Sequence, residues 1–343
     1  MTTTTLQKTP AVDTAPAPIL KIEDLVVEFR QQKKVVRAAN HVSITIRRGE
    51  TMGIVGESGS GKSVLCRSVL RLLPSPPAFV RAGRITFNGR DLLLLSDAEM
   101  EQVRGTDIAM IFQNPMNALN PVWPIGDQIS EGERVHRNIS SRAARDRAIT
   151  LLKRVGIPSP ELRVDEYPHQ WSGGMLQRAV IAMAIAGGPK LILADEPTTA
   201  LDVTIQDQIL ALLMELQEAT GTTLILVSHD MAVVAETCDR VAVMYAGRIM
   251  ELAPTTEIFS SPRHPYTIGL LRSIPRIDGK DQRLEPISGQ PPNLSSLPPG
   301  CPFMPRCRFA SPECGEVEVA LREVTPGHFS ACIKPDEISA SVY

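Results

Sequence analysis

Eight consecutive residues, Gly56-Glu57-Ser58-Gly59-Ser60-Gly61-Lys62-Ser63, constrain the fold of this 343-residue chain more than any other feature. They follow the apolar run Thr51 to Val55 and precede a helix-like run from Ser63 to Leu73 that includes Val64. Glycines in this pattern let the backbone curl until its N–H groups and the helix N-terminus point at one anion. Lys62 is then placed to reach the β- and γ-phosphates of a nucleotide, and Ser63 to offer its hydroxyl to Mg²⁺. An ordinary glycine-rich turn explains some of these residues, but not every fixed position between a strand and a helix.

Around this loop the apolar runs sort into two kinds. Ile19 to Phe29, Val42 to Ile46 and Arg84 to Phe87 are β-branched runs separated by turn signals such as Asn88-Gly89, which predicts an antiparallel sheet. Met52 to Val55, Ile108 to Phe112, Leu191 to Ala194 and Thr223 to Val227 are short and nearly continuous, as strands of a buried parallel sheet are. Between Ile125 and Gly156 charged amphipathic helices take over. In Arg142 to Val155 the residues Ala144, Ala148, Leu151, Leu152 and Val155 recur at helical spacing, which predicts a helical subdomain inserted into the sheet.

Composition excludes several classes. Lys and Arg number 36 against 38 Asp and Glu, so the net charge of -2 provides no overall basic field for nucleic acid. No uncharged apolar run approaches the roughly 20 residues of a membrane-spanning helix, so a membrane role must come through partners. Residues 1–18, rich in Thr, Ala and Pro, read as a disordered tail without the basic start and apolar centre of an export signal. Prolines multiply after about Ser261, which puts a boundary there: 19–262 as a nucleotide-binding domain and 263–343 as an extension.

A nucleotide site also needs an acid to position the metal and a group to orient water. Leu191-Ile192-Leu193-Ala194-Asp195-Glu196 supplies two carboxylates at a strand end: Asp195 for the Mg²⁺ shell and Glu196 to polarise the attacking water. Trp171-Ser172-Gly173-Gly174-Met175, with Gln177 and Arg178, resembles the signature motif of ATP-binding-cassette (ABC) ATPases, with Met where Gln is usual. In the family's order, Gln113 matches the Q-loop, Ala200-Leu201-Asp202 the D-loop, and His229 the switch histidine. The resemblance implies a RecA-like P-loop NTPase core of the α/β class. It also implies head-to-tail pairing of two cassettes, in which the signature of one closes over ATP held by the other. Gln113 would sense Mg²⁺ and water. Phe29 falls near the place of the aromatic residue that stacks on adenine, although a core aromatic fits as well.

Met110-Ile111-Phe112-Gln113-Asn114-Pro115, Tyr167-Pro168-His169 and above all His264-Pro265-Tyr266-Thr267 are similar to the dipeptide/oligopeptide importer ATPases. So are Gly289 to Leu294 and Pro299 to Cys307. The resemblance implies two transmembrane permease subunits, a second and commonly non-identical ABC ATPase chain, and an extracytoplasmic solute-binding protein. It implies work at the cytoplasmic face of the inner membrane and no nucleic-acid partner. Relatives of this group carry nickel complexes, glutathione or other small solutes, so the cargo stays open. Non-transport cassettes of the chromosome type would carry long heptad arms, and translation-factor types two cassettes. This chain has neither.

Cysteines divide in the same way as the domains. Cys66 and Cys238 stand alone among apolar residues and read as buried thiols. Cys301, Cys307, Cys314 and Cys332 gather near the end of a chain without an export signal, which favours metal ligation over disulfides. Their wide spacing, together with the importer resemblance, predicts an iron-sulfur cluster of the 4Fe-4S type, with zinc or unligated thiols as the alternatives.

Overall fold

The computed structural model describes residues 17–31, 34–137, 139–199, 201–273 and 286–339. Most of the expected tail therefore lies outside the described residues, as does Ala200 of the expected D-loop. In chain order the strands are β1 (Pro18–Gln31), β2 (Lys34–Arg47), β3 (Thr51–Val55), β4 (Ala78–Phe87), β5 (Arg90–Asp91) and β6 (Ile108–Ile111). They continue with β7 (Leu191–Asp195), β8 (Thr223–Ser228), β9 (Arg240–Tyr245), β10 (Arg248–Pro254), β11 (Arg322–Thr325) and β12 (His328–Ser330).

The early strands form an antiparallel sheet in the order β2-β1-β4-β5. Asn88 and Gly89 join β4 to β5 at positive φ of 46° and 80°, the conformation that a two-residue hairpin turn requires and that Asn-Gly adopts cheaply. The second sheet has the order β11-β12-β10-β9-β3-β8-β7-β6. Its centre, from β9 through β3, β8 and β7 to β6, is parallel, and β10, β12 and β11 extend it antiparallel beyond β9.

Alternate residues of the parallel strands face two different cores. Val55, Ile192, Ala194, Leu224 and Leu226 pack into a core shared with the helices Ser141–Arg154 and Gly173–Ala186. Met52, Ile54, Leu191, Leu193, Ile225 and Val227 pack into a second core shared with the antiparallel sheet and helix Lys62–Val69. Burial on both faces is why these strands read as unbroken apolar runs.

Helices Ile125–Arg137 and Ser141–Arg154 lie between β6 and β7 in the chain, as their periodicity predicts. Ser140 starts the second by accepting the Ala143 N–H at 3.3 Å, and Ala144, Ala148 and Leu152 are its buried stripe. After Ser261 the chain returns to the sheet. β12 pairs with β10, and Phe303, Val319 and Ala331 join the core that contains Val55 and Ala194. Among the described residues no helix is long and apolar enough to cross a membrane.

Candidate active site

The parallel strands direct their C-terminal ends at one crevice, where ligands of open α/β sheets bind. β3 delivers the glycine-rich loop there. Gly56 and Gly61 have φ of 150° and 105°, and a Cβ on either would meet the carbonyl oxygen of Met244 at 2.1 Å or Ala38 at 2.2 Å. No side chain fits at either position. Ser58 and Gly59 are exposed, while Ser60 is buried and holds the turn through its N–H to the Glu57 carbonyl at 3.2 Å. The expected helix from Ser63 is Lys62–Val69, with Val64 partly buried in its first turn.

Lys62 is buried, and its Nζ donates to the carbonyls of Gly56 at 2.8 Å and Glu57 at 3.1 Å. Burial holds its ammonium below the usual lysine range, opposed by the charges of Glu196 and Asp195. Ser63 donates to Asp195 Oδ1 at 2.7 Å, whereas Asp195 Oδ2 is buried without a hydrogen-bond partner. Burial pushes the Asp195 carboxyl up. An orphaned buried carboxylate oxygen beside a serine hydroxyl is a donor set that fits Mg²⁺, a hard cation that prefers oxygen ligands.

Glu196 is where the other predicted residues converge. Its Oε2 accepts from Gln113 Nε2 at 2.9 Å and from Thr199 Oγ1 at 3.0 Å, and lies 3.5 Å from His229 Nδ1. Its Oε1 is 3.8 Å from Lys62 Nζ. The residue has φ of 49°, a left-handed conformation that costs energy for a residue with a Cβ and is found where the surroundings over-determine it. Thr199 was not among the sequence candidates, and its position three residues after Glu196 carries no separate signal.

The signature residues stand apart from that crevice. Ser172 caps helix Gly173–Ala186, its Oγ accepting the Met175 N–H at 3.4 Å, and Ser172 and Gly173 are exposed. A Cβ on Gly174 would meet Ile205 at 2.9 Å. Gln177 is buried, and Met175 is partly so. Among the described residues no hydrogen bond joins Ser172–Gln177 to the loop 56–63. Asp202 is exposed at the start of helix Val203–Thr220. Phe29 sits half-buried in β1, opposite Val36 of β2 and Ala78 of β4, at the border of the second core.

The C-terminal extension reaches the same loop, which the local sequence does not announce. Arg306, whose side chain is only 5% exposed, donates through Nη1 to Glu57 Oε2 at 2.6 Å and through Nη2 to Glu57 Oε1 at 3.0 Å. The Glu57 N–H donates to the Tyr266 hydroxyl at 2.8 Å.

The four clustered cysteines overturn an expectation. Among the described residues no group of three or more His, Cys, Asp or Glu is placed to hold a metal ion. All are free thiols, and they line an apolar cavity with Phe303, Phe309, Val319 and Ile338. Burial pushes the thiols of Cys301 and Cys307 up, and that of Cys332 to about 11. Metal ligation needs several donors converging on one point, and the described residues form no such group. The expected iron-sulfur cluster at Cys301, Cys307, Cys314 and Cys332, and with it a metal-binding role for the extension, is corrected: the four side chains line an apolar cavity and form no ligand group.

Comparison with known proteins fits this geometry. Residues 39–199 match the ABC transporter family, and residues 250–314 match the oligopeptide/dipeptide transporter C-terminal region. A putative peptide import ATP-binding protein of Brucella abortus is 49% identical over 334 residues, covering 94% of this chain and 99% of its own. The chain belongs to the ATP-binding subunits of ABC peptide importers. A dipeptide transport ATP-binding protein of Bacillus subtilis is 51% identical over 319 residues, covering 93% of this chain and 95% of its own. The dimeric, post-hydrolysis ATP-binding cassette MJ0796, bound to ADP and Pi, superposes with a TM-score of 0.62 at 27% identity, over 69% of this chain and 98% of that one. ABC ATPases of known structure thus share the RecA-like core and its mixed sheets, and the chain is an ATP-binding, ATP-hydrolysing transporter subunit.

Proposed function

We propose that this ABC ATPase hydrolyses ATP at the crevice to power the import of dipeptides or oligopeptides. The observation that carries the reading is the convergence of Lys62, Gln113, Thr199 and His229 on Glu196, beside the Ser63–Asp195 pair. The loop 56–63 and the helix that follows cradle the phosphates. Ser63 and Asp195, with Gln113 nearby, would hold Mg²⁺, which would supply positive charge against the triphosphate. Lys62 leaves the loop carbonyls for the β- and γ-phosphates. Glu196 takes a proton from water as its oxygen attacks the γ-phosphorus and the bond to the bridging oxygen breaks, while Gln113 and His229 hold the carboxylate in place.

Ser172, Gly173, Gly174, Met175 and Gln177 serve the ATP of the partner cassette, with Asp202 at the junction, and Phe29 stacks on adenine. The exposure of Ser172 and Gly173 supports this, since a hydroxyl and N–H groups at a helix start form an anion surface that the chain's own loop does not use. The working assembly has two permease subunits, a second and related ABC ATPase chain, and an extracytoplasmic solute-binding protein, with this subunit peripheral at the cytoplasmic face of the inner membrane. Residues 19–262 act as the cassette and 263–343 as its extension. The test is uptake of labelled dipeptides and oligopeptides by proteoliposomes that contain the whole assembly. Uptake with ATP and none with ADP is expected. ATP turnover that moves a nickel complex or glutathione, and no peptide, would overturn the assignment of cargo.

A further inference from the structure

We infer that Arg306 is a positioning residue for ATP, acting through Glu57 of the phosphate loop. The inference rests on reading residues 56–63 as the ATP site. A guanidinium has five N–H donors in a planar fork, and here every nitrogen is engaged. Nη1 donates to Glu57 Oε2 at 2.6 Å and to the Tyr245 hydroxyl at 3.2 Å. Nη2 donates to Glu57 Oε1 at 3.0 Å and the Ile287 carbonyl at 3.4 Å, and Nε to the Ser288 carbonyl at 3.0 Å. The guanidinium also lies 5.8 Å from the Tyr245 ring centroid and 6.0 Å from that of Phe303.

Two independent holds therefore act on Glu57. Its carboxylate is clamped by Arg306, and its N–H is bonded to Tyr266, whose ring packs against Tyr245 and Phe303 with centroids 4.6 and 5.3 Å away. A carboxylate in the second position of a loop that receives a triphosphate is an electrostatic liability, because like charges repel strongly where water is partly excluded. The bidentate pair draws that charge away from the anion site and neutralises it. A positioning residue of this kind affects how well ATP is held far more than how fast held ATP is cleaved.

The test measures ATP turnover against ATP concentration in the assembled transporter, and fluorescent-ATP binding to the full-length chain. Arg306→Met should raise the KM for ATP about tenfold, the scale of one charge-assisted pair lost at a binding loop, with kcat within about twofold of wild type. Adding Glu57→Gln to that variant should recover much of the loss, because the unpaired carboxylate is gone. Arg306→Lys should fall between, since an ammonium lacks the fork. If Arg306→Met does not fold, by circular dichroism and thermal unfolding, Arg306→Lys and Arg306→Gln carry the same comparison. A folded variant with the wild-type KM, a fall in kcat at unchanged KM, or no recovery in the double variant would overturn the inference. A wild-type chain that fails to bind ATP would instead overturn the reading of the site itself.

Discussion

On the proposed mechanism, Glu196→Gln should separate chemistry from binding at this site. The substitution keeps the shape of the side chain while removing its negative charge and its ability to take a proton. Gln113 Nε2 and Thr199 Oγ1 both donate to Oε2, so a glutamine can keep its amide oxygen there and satisfy both donors. Its NH₂ then faces Lys62 from the position of Oε1, now 3.8 Å from the ammonium. Two donors face each other without a bond, and Lys62 loses a charge that favours its protonated form. The phosphate loop is otherwise untouched, so ATP affinity should stay within about threefold. General-base loss costs roughly 10²–10⁴ in rate, or about 2.7–5.4 kcal/mol at 1.36 kcal/mol per tenfold. The assay is phosphate release by the assembled transporter at saturating ATP, with nucleotide binding measured in parallel. Turnover within about threefold of wild type would refute the role given to Glu196.

Lys62→Ala should act on the other quantity, weakening ATP binding at least about tenfold by removing the charge that faces the β- and γ-phosphates; unchanged affinity would count against the phosphate-loop reading. Ser172→Arg in one cassette of the pair should block photolabelling of the partner chain by a reactive ATP analogue and spare its own, and the reverse pattern would exclude head-to-tail pairing. Burial lowers His264 from 6.5 to about 3, so its neutral form is bound into the fold, where Nδ1 accepts the Tyr266 N–H at 3.1 Å. A depressed histidine contributes stability that is full above the unfolded value of 6.5 and drains as pH falls toward about 3. Thermal unfolding should therefore lose more between neutral and acid pH in wild type than in His264→Asn, which keeps an acceptor for the same N–H but does not titrate; equal slopes would show that His264 is not the group responsible.

The chain's local chemistry was legible because local chemistry is contiguous. Gly56 to Ser63 encode a loop through backbone conformations that only glycine adopts there, and Asp195-Glu196 lie at a strand end whose apolar run is visible. The inserted helices were readable for the same reason, since Ala144, Ala148 and Leu152 repeat at helical spacing within one segment. The meeting of groups from four places in the chain was legible only through the family resemblance, not from the local chemistry. Gln113 and His229 come to Glu196 because β6, β7 and β8 lie side by side in the sheet, and parallel neighbours carry no mark of their pairing in the sequence. Residues after Ser261 lack periodicity, yet β12 completes the edge beside β10, because an open edge can be paired by a short strand from anywhere. The four cysteines show the opposite failure. Their number and spacing suggest ligation, but ligation depends on donors converging in space, and the described residues form no such group while the four cysteines line an apolar cavity beside Phe303. Arg306 and Glu57 are 249 residues apart, and only the folded chain makes them a pair. Sequence determined which chemical groups this protein has near one another along the backbone. Tertiary structure decided which distant groups meet at one site, where the buried members, Lys62 and Asp195, make charge and hydrogen bonding stronger than in water.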